Sequence, residues 1–216
     1  MRTGLLGGSF NPVHNAHLRI AGEARDACRL DRVIFIPAAD PPHKPLAGNV
    51  SFEHRAAMVA LAIADQPAFE LSAIEAERSG KSYSIDTIRA FRERNPDDEL
   101  FFIIGGDSFL DIGTWYRYDE IFRSCNLIVV ERPGCHIARP LDALPGGAKE
   151  LFRYNPVTGG LSHECGTSVT FVTGAPLELS STEIRRLAAV DADITRYVPP
   201  GVAAYISQQR IYHQCP

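Results

Sequence analysis

The stretch Gly7-Gly8-Ser9-Phe10-Asn11-Pro12-Val13-His14-Asn15-Ala16-His17 sets a pair of glycines before two histidines three residues apart. Glycines let a backbone approach a ligand closely. Histidines at this spacing share one face of a helix and donate hydrogen bonds. If a helix starts here, its free N–H groups and positive dipole end favour an anion. Phosphate binding is therefore one reading, and a glycine turn with two solvated or capping histidines is the other. The run matches neither G-x-G-x-x-G nor G-x-x-x-x-G-K-[ST]. No cysteine or carboxylate stands close enough in sequence to make the histidines a good start for zinc. Near the other end, Ser180-Ser181-Thr182-Glu183-Ile184-Arg185-Arg186 offers a second helix start. Ser180 and Glu183 have capping-box spacing. Ser181 and Arg185, four apart, add a hydroxyl and a guanidinium on one face, which suits a polyphosphate.

Short, continuously apolar runs must position these segments. Thr3–Gly7, Arg32–Pro37, Leu100–Gly105, Leu127–Glu131 and Val169–Thr173 read as strands buried on both faces, with Phe69–Leu71 a weaker sixth. Helical spacing occupies His17–Cys28, Phe52–Ala64, Ser84–Arg94, Tyr118–Ser124, Ser180–Ala189 and Pro199–Gln209. Ser51 is the expected N-cap of the second helix, and Ser82 or Ser84 that of the third. Alternation of strand and helix predicts an α/β fold: a doubly wound parallel sheet with helices on both faces and C-terminal helices. Ala38–Val50, with three prolines, predicts an ordered loop. Arg132–Gly166, with a short helix near Ala148–Arg153, reads as a surface excursion or a lid.

Composition narrows the function. The 216 residues carry 22 Lys+Arg against 26 Asp+Glu, a net charge of −4, without the basic footprint of a duplex-DNA binder. No apolar run approaches the ~20 residues that span a bilayer, and Met1-Arg2 leads into a strand rather than a signal peptide. Five cysteines at 28, 125, 135, 165 and 215 do not form a disulfide framework, so a reducing cytoplasm is expected. Cys135-His136 and His163-Glu164-Cys165 lack C-x-x-C spacing and predict isolated thiols rather than a metal site.

Gly7–His17 resembles the GGSFNPxHxGH signature of bacterial nicotinate-nucleotide adenylyltransferases, in the HxGH nucleotidyltransferase superfamily, and Ser180–Arg185, after Leu179, is similar to their ISSTxIR motif. Pro41-Pro42-His43-Lys44, Ser82–Thr87, Ile104–Asp107, Trp115-Tyr116, Arg132-Pro133-Gly134 and a stretch from Val198 to Tyr212 match family segments in order. The resemblance implies a single Rossmann-like domain over 1–216, with the part from about 180 to 216 completing an ATP site. It implies transfer of AMP from ATP to nicotinate mononucleotide, giving nicotinate adenine dinucleotide and pyrophosphate, with Mg²⁺ carried on ATP and no protein metal ligand. Catalysis would fall to His14, His17, Lys44 and Arg185. ATP would be held by Gly7, Gly8, Ser9, Phe10, His14, His17, Gly105, Asp107, Ser180, Ser181, Thr182 and Arg185. Nicotinate mononucleotide would meet His43, Lys44, Tyr83, Ser84, Trp115, Tyr116 and Arg132, with Trp115 stacking on the pyridine and backbone N–H groups at Ser84 and Tyr116 taking its carboxylate. Ala16 departs from the family's glycine, and its methyl is expected to tighten or shift the adenine site. A sister transferase for nicotinamide mononucleotide or phosphopantetheine, and a catalytically idle nucleotide sensor, are the alternatives. Neither nucleic acid nor membrane is an expected partner.

Overall fold

Continuous apolarity does become strand. The computed structural model describes residues 1–42, 48, 50–131, 137–174 and 180–213. Eight strands join one sheet: β1 Arg2–Gly8, β2 Arg32–Pro37, β3 Phe69–Leu71, β4 Glu99–Gly105, β5 Asn126–Glu131, β6 Phe152–Tyr154, β7 Leu161–His163 and β8 Ser168–Thr173. Their order is β3-β2-β1-β4-β5-β8-β7-β6. Leu5 pairs with Phe102, Ile103 with Ile128 and Val129 with Phe171, all in parallel register. The chain leaves β1 toward β2 and β3, then returns to lay β4 on the other side, so the winding reverses at β1 as a doubly wound sheet requires.

Helices fill the intervals: α1 Asn15–Cys28, α2 Phe52–Ile63, α3 Ser84–Arg94, α4 Gly106–Leu110, α5 Tyr118–Ser124, α6 Gly146–Lys149, α7 Ser181–Ala189 and α8 Pro200–Gln208. Ser51 caps α2 by accepting the His54 N–H. At α3 the expectation fails, because the N-cap is Tyr83 with no side-chain bond. Ser82 is occupied elsewhere: its Oγ accepts the N–H groups of Ala39 and Asp40, each at 3.0 Å, and so ties down the chain after β2. The excursion after β5 also departs from expectation. Its helix stops at Lys149, Phe152–Tyr154 is strand, and β6 and β7 pair antiparallel before β7 joins β8 in the same sense. Residues 152–173 thereby extend the sheet rather than cover it.

Contacts divide the chain into two compact units. One holds Met1–Leu6, Ile20–Val33 and Tyr83–Pro176, with a core of β4, β5 and β8 side chains beside Phe109, Phe122 and Phe152. The other holds Gly7–Arg19, Ile34–Ser82 and Leu177–Pro216, and buries Phe10, Phe35, Met58, Val198, Val202 and Ile206. Among the described cysteines, Cys28 and Cys125 are buried free thiols and Cys165 is an exposed one. Burial pushes the Cys125 thiol up to about 12. The His163 Nδ1 lies 2.9 Å from the Cys165 sulfur, but no group of three or more metal-ligating side chains forms among the described residues. No helix among them is long and apolar enough to cross a membrane.

Candidate active site

The site begins where β1 runs out. Gly8 gives its carbonyl to the Ala38 N–H at 2.9 Å. A Cβ on Gly8 would stand 3.1 Å from the Phe10 ring, so glycine is what lets that ring fold under the turn. Phe10 has φ 45° and is fully buried, set against Phe35 and edge-on to His17 at 5.0 Å. Phe10, expected at the ATP site, packs its ring inside this unit, beneath the turn. Gly7 and Ser9 are exposed above it.

The two histidines form one unit. His14 is the residue before α1, and its carbonyl accepts the His17 N–H at 2.9 Å. In return the His17 Nδ1 accepts the His14 N–H at 3.2 Å, a capping arrangement with imidazole in place of the usual carboxylate. The rings stack with centroids 3.8 Å apart. Because Nδ1 is an acceptor, a neutral His17 carries its proton on Nε2, which makes that atom a donor. The capping reading and the phosphate reading of these histidines are thus compatible, because the cap is made by one ring nitrogen of His17, Nδ1. Asn15 fixes the helix start by donating its N–H to the Tyr197 carbonyl and its side-chain amide to that of Arg196.

The C-terminal segment closes on the same turn. Ser181 Oγ donates to the Pro12 carbonyl at 3.3 Å, and Arg185 Nη1 to the Asn11 carbonyl at 2.8 Å. Arg185 Nη2 also donates to Thr182 Oγ1. Ser180 caps α7 through the Glu183 N–H at 3.2 Å, but the return half of the expected capping box is missing. The Glu183 carboxylate pairs instead with Arg186. His14, His17, Ser180, Ser181, Thr182 and Arg185 therefore gather around one turn.

Three supports carried no assignment from sequence. Tyr212 donates its hydroxyl to Asn11 Oδ1 at 2.7 Å, and burial raises its pKa against the pull of Arg185 and Arg55. Asn11 itself is 2% exposed. Arg55, on α2, donates from Nη1 to the Ser9 carbonyl at 2.8 Å. The signal for Arg55 was available: Arg55, Met58, Val59, Ala62 and Ile63 form the buried stripe of α2, and a cation on such a stripe asks for a reason.

The remaining predicted residues lie in the other unit or outside the described ones. Gly105 caps α4, and Asp107 in its first turn bends its carboxylate back, leaving only 2.6 Å between Oδ1 and the place a Gly105 Cβ would take. Trp115 is half-buried and edge-on to Phe102, so it is neither core nor free. Tyr116 is 49% exposed, its ring 4.4 Å from that of Tyr83, which precedes Ser84 at the start of α3. His43, Lys44 and Arg132 lie outside the described residues, as does Leu179.

Residues 5–187 match the family model described as cytidylyltransferase-like, and the class that fold and paired helix starts define is the nucleotidyltransferase. A protein of Pelobacter propionicus named "Probable nicotinate-nucleotide adenylyltransferase" is 62% identical over 216 residues, the whole of both chains. One of the same name from Geobacter sulfurreducens is 57% identical over 212 residues, 98% of each. The chain belongs to the nicotinate-nucleotide adenylyltransferase family. In fold it is similar to a Plasmodium falciparum nicotinic acid mononucleotide adenylyltransferase complexed with NaAD, at TM-score 0.73 and 19% identity over 98% of this chain and 97% of that one.

Proposed function

We propose that this enzyme transfers AMP from ATP to nicotinate mononucleotide in NAD biosynthesis, releasing pyrophosphate. The observation that carries the reading is the convergence of two helix starts, His14–His17 and Ser180–Arg185, on the Ser9–Pro12 turn. The acceptor's phosphate oxygen attacks the α-phosphorus of ATP, and the bond from that phosphorus to the pyrophosphate oxygen breaks. A phosphate oxygen is already anionic near neutral pH, so no strong base is needed. The protein's task is to align two polyanions and stabilise charge on the α-phosphate and leaving pyrophosphate. His17 Nε2–H, His14, Ser181 and Arg185 are the donors assigned to those oxygens, with Lys44 a further one. Arg185 arrives by exchanging its bond to the Asn11 carbonyl for one to phosphate.

Asp107 and Gly105 are assigned to the ribose side of ATP, where a carboxylate at a strand end holds hydroxyls. Trp115, Tyr116, Tyr83 and Ser84 are assigned to the pyridine nucleotide, with His43 and Arg132 as further contacts. We assign a divalent cation to ATP oxygens and water, without a protein ligand. That ion, taken as Mg²⁺, would neutralise phosphate charge. We place the enzyme in the cytoplasm and treat 1–216 as one functional domain.

The test is the initial rate of pyrophosphate release with ATP and nicotinate mononucleotide, nicotinamide mononucleotide or phosphopantetheine, with and without EDTA. Nicotinate mononucleotide should be used best, with loss in EDTA and recovery on adding Mg²⁺. Equal or better use of another acceptor would sink the assignment.

A further inference from the structure

Among the described residues Arg55 is the largest side chain sealed from solvent, at 0% exposure. Its Nη1 spends one bond on the Ser9 carbonyl, while its Nε has no hydrogen-bond partner. No carboxylate reaches ion-pair distance of it among the described residues. The Phe52 ring, 5.6 Å from the guanidinium carbon, lends a weak cation–π contact. Tyr212, Glu53 and Glu75 act on Arg55 only through longer-range electrostatics, and burial outweighs them, lowering its pKa. A buried charge without an ion-pair partner is costly, and a well-packed apolar residue would ordinarily serve the core better. Its position supplies the reason, because the guanidinium lies one carbonyl below Ser9, which is exposed in the turn where the two helix starts meet.

We propose that Arg55 is a positioning residue whose buried guanidinium holds the Ser9 carbonyl and supplies the charge that sets the turn's affinity for a polyphosphate. The assignment rests on the functional reading above for the identity of that anion as the ATP triphosphate. Among the described residues no carboxylate pairs with this charge, and the bound polyanion provides a counterion. The guanidinium itself is sealed from solvent, so the attraction is less screened than between two surface charges. Part of the cost of burying Arg55 is thereby recovered only when ligand binds.

Two substitutions test this. Arg55→Met removes the charge and keeps most of the volume, and Arg55→Lys keeps the charge. Calorimetry with tripolyphosphate should show about tenfold weaker binding by Arg55→Met, and binding within about threefold of wild type by Arg55→Lys. In steady state Arg55→Met should raise KM for ATP about tenfold and KM for nicotinate mononucleotide less than twofold. A role confined to packing would move both constants together, or neither, and would overturn the proposal. If Arg55→Met does not fold, Arg55→Lys decides, and tenfold weaker tripolyphosphate binding by that variant refutes the role of charge. A wild type that binds tripolyphosphate but transfers nothing to nicotinate mononucleotide removes the functional reading and leaves this one standing.

Discussion

The observed cap made by His17 and its proposed phosphate role can be separated. Its Nδ1 caps α1 through the His14 N–H, and its Nε2 is the atom we assign to a phosphate oxygen. His17→Ala should lower turnover at least ~100-fold, the scale of losing one donor to developing charge. Stability should fall by only about 1 kcal/mol, the usual worth of a cap. Near-normal turnover in a pyrophosphate-release assay would reject the phosphate role, and a urea melt measures the cap. The spacing of the histidines was legible because i and i+3 must share a face. The capping bond was not, since imidazole is an unusual partner for an N-cap amide. Ala16 was legible as a departure but not in its setting: at 6% exposure its methyl is packed inside the unit.

At the level of elements, α7 couples stability to the site. Ser180 satisfies the Glu183 N–H, so Ser180→Ala should cost about 1 kcal/mol in urea unfolding. It should also raise KM for ATP several-fold, because Ser181 and Arg185 take their positions from that first turn. A stability loss with unchanged KM would divorce the cap from binding. The long elements were readable because continuous apolar runs suit covered strands and a 3.6-residue stripe suits helices. Three-residue strands display little period: β3 read only as a weaker strand, β6 and β7 were missed, and Phe152 was drawn into a helix that ends at Lys149. The expected Ser cap of α3 failed for a different reason: Ser82 found two backbone partners after β2.

Across the molecule, carboxylates set the response to acid. Asp98 accepts from the Thr3 hydroxyl at 2.7 Å and from Arg32 at 3.1 Å, and the Thr3 bond leads in holding its pKa below the usual carboxylate range. A folded pKa below the unfolded one stabilises the fold above the unfolded value of ~3.9, and that contribution is lost as pH falls through the folded value. Asp98→Asn should therefore lower unfolding free energy at pH 7, with the gap to wild type closing below about pH 4. A gap that stayed constant down to pH 2 would contradict the linkage. The whole-chain charge of −4 gives no hint of the proposed anion site, because a few local donors do not register in a sum.

The two outermost strands of the sheet, β3 and β6, are three residues each. On β6 the Phe152 carbonyl is already taken by the Arg153 guanidinium. An edge this short and partly spent offers little for a stray strand to add to. The antiparallel turn-back after β5 therefore ends the sheet on a short strand with one carbonyl already bonded, a poor template for edge-to-edge aggregation.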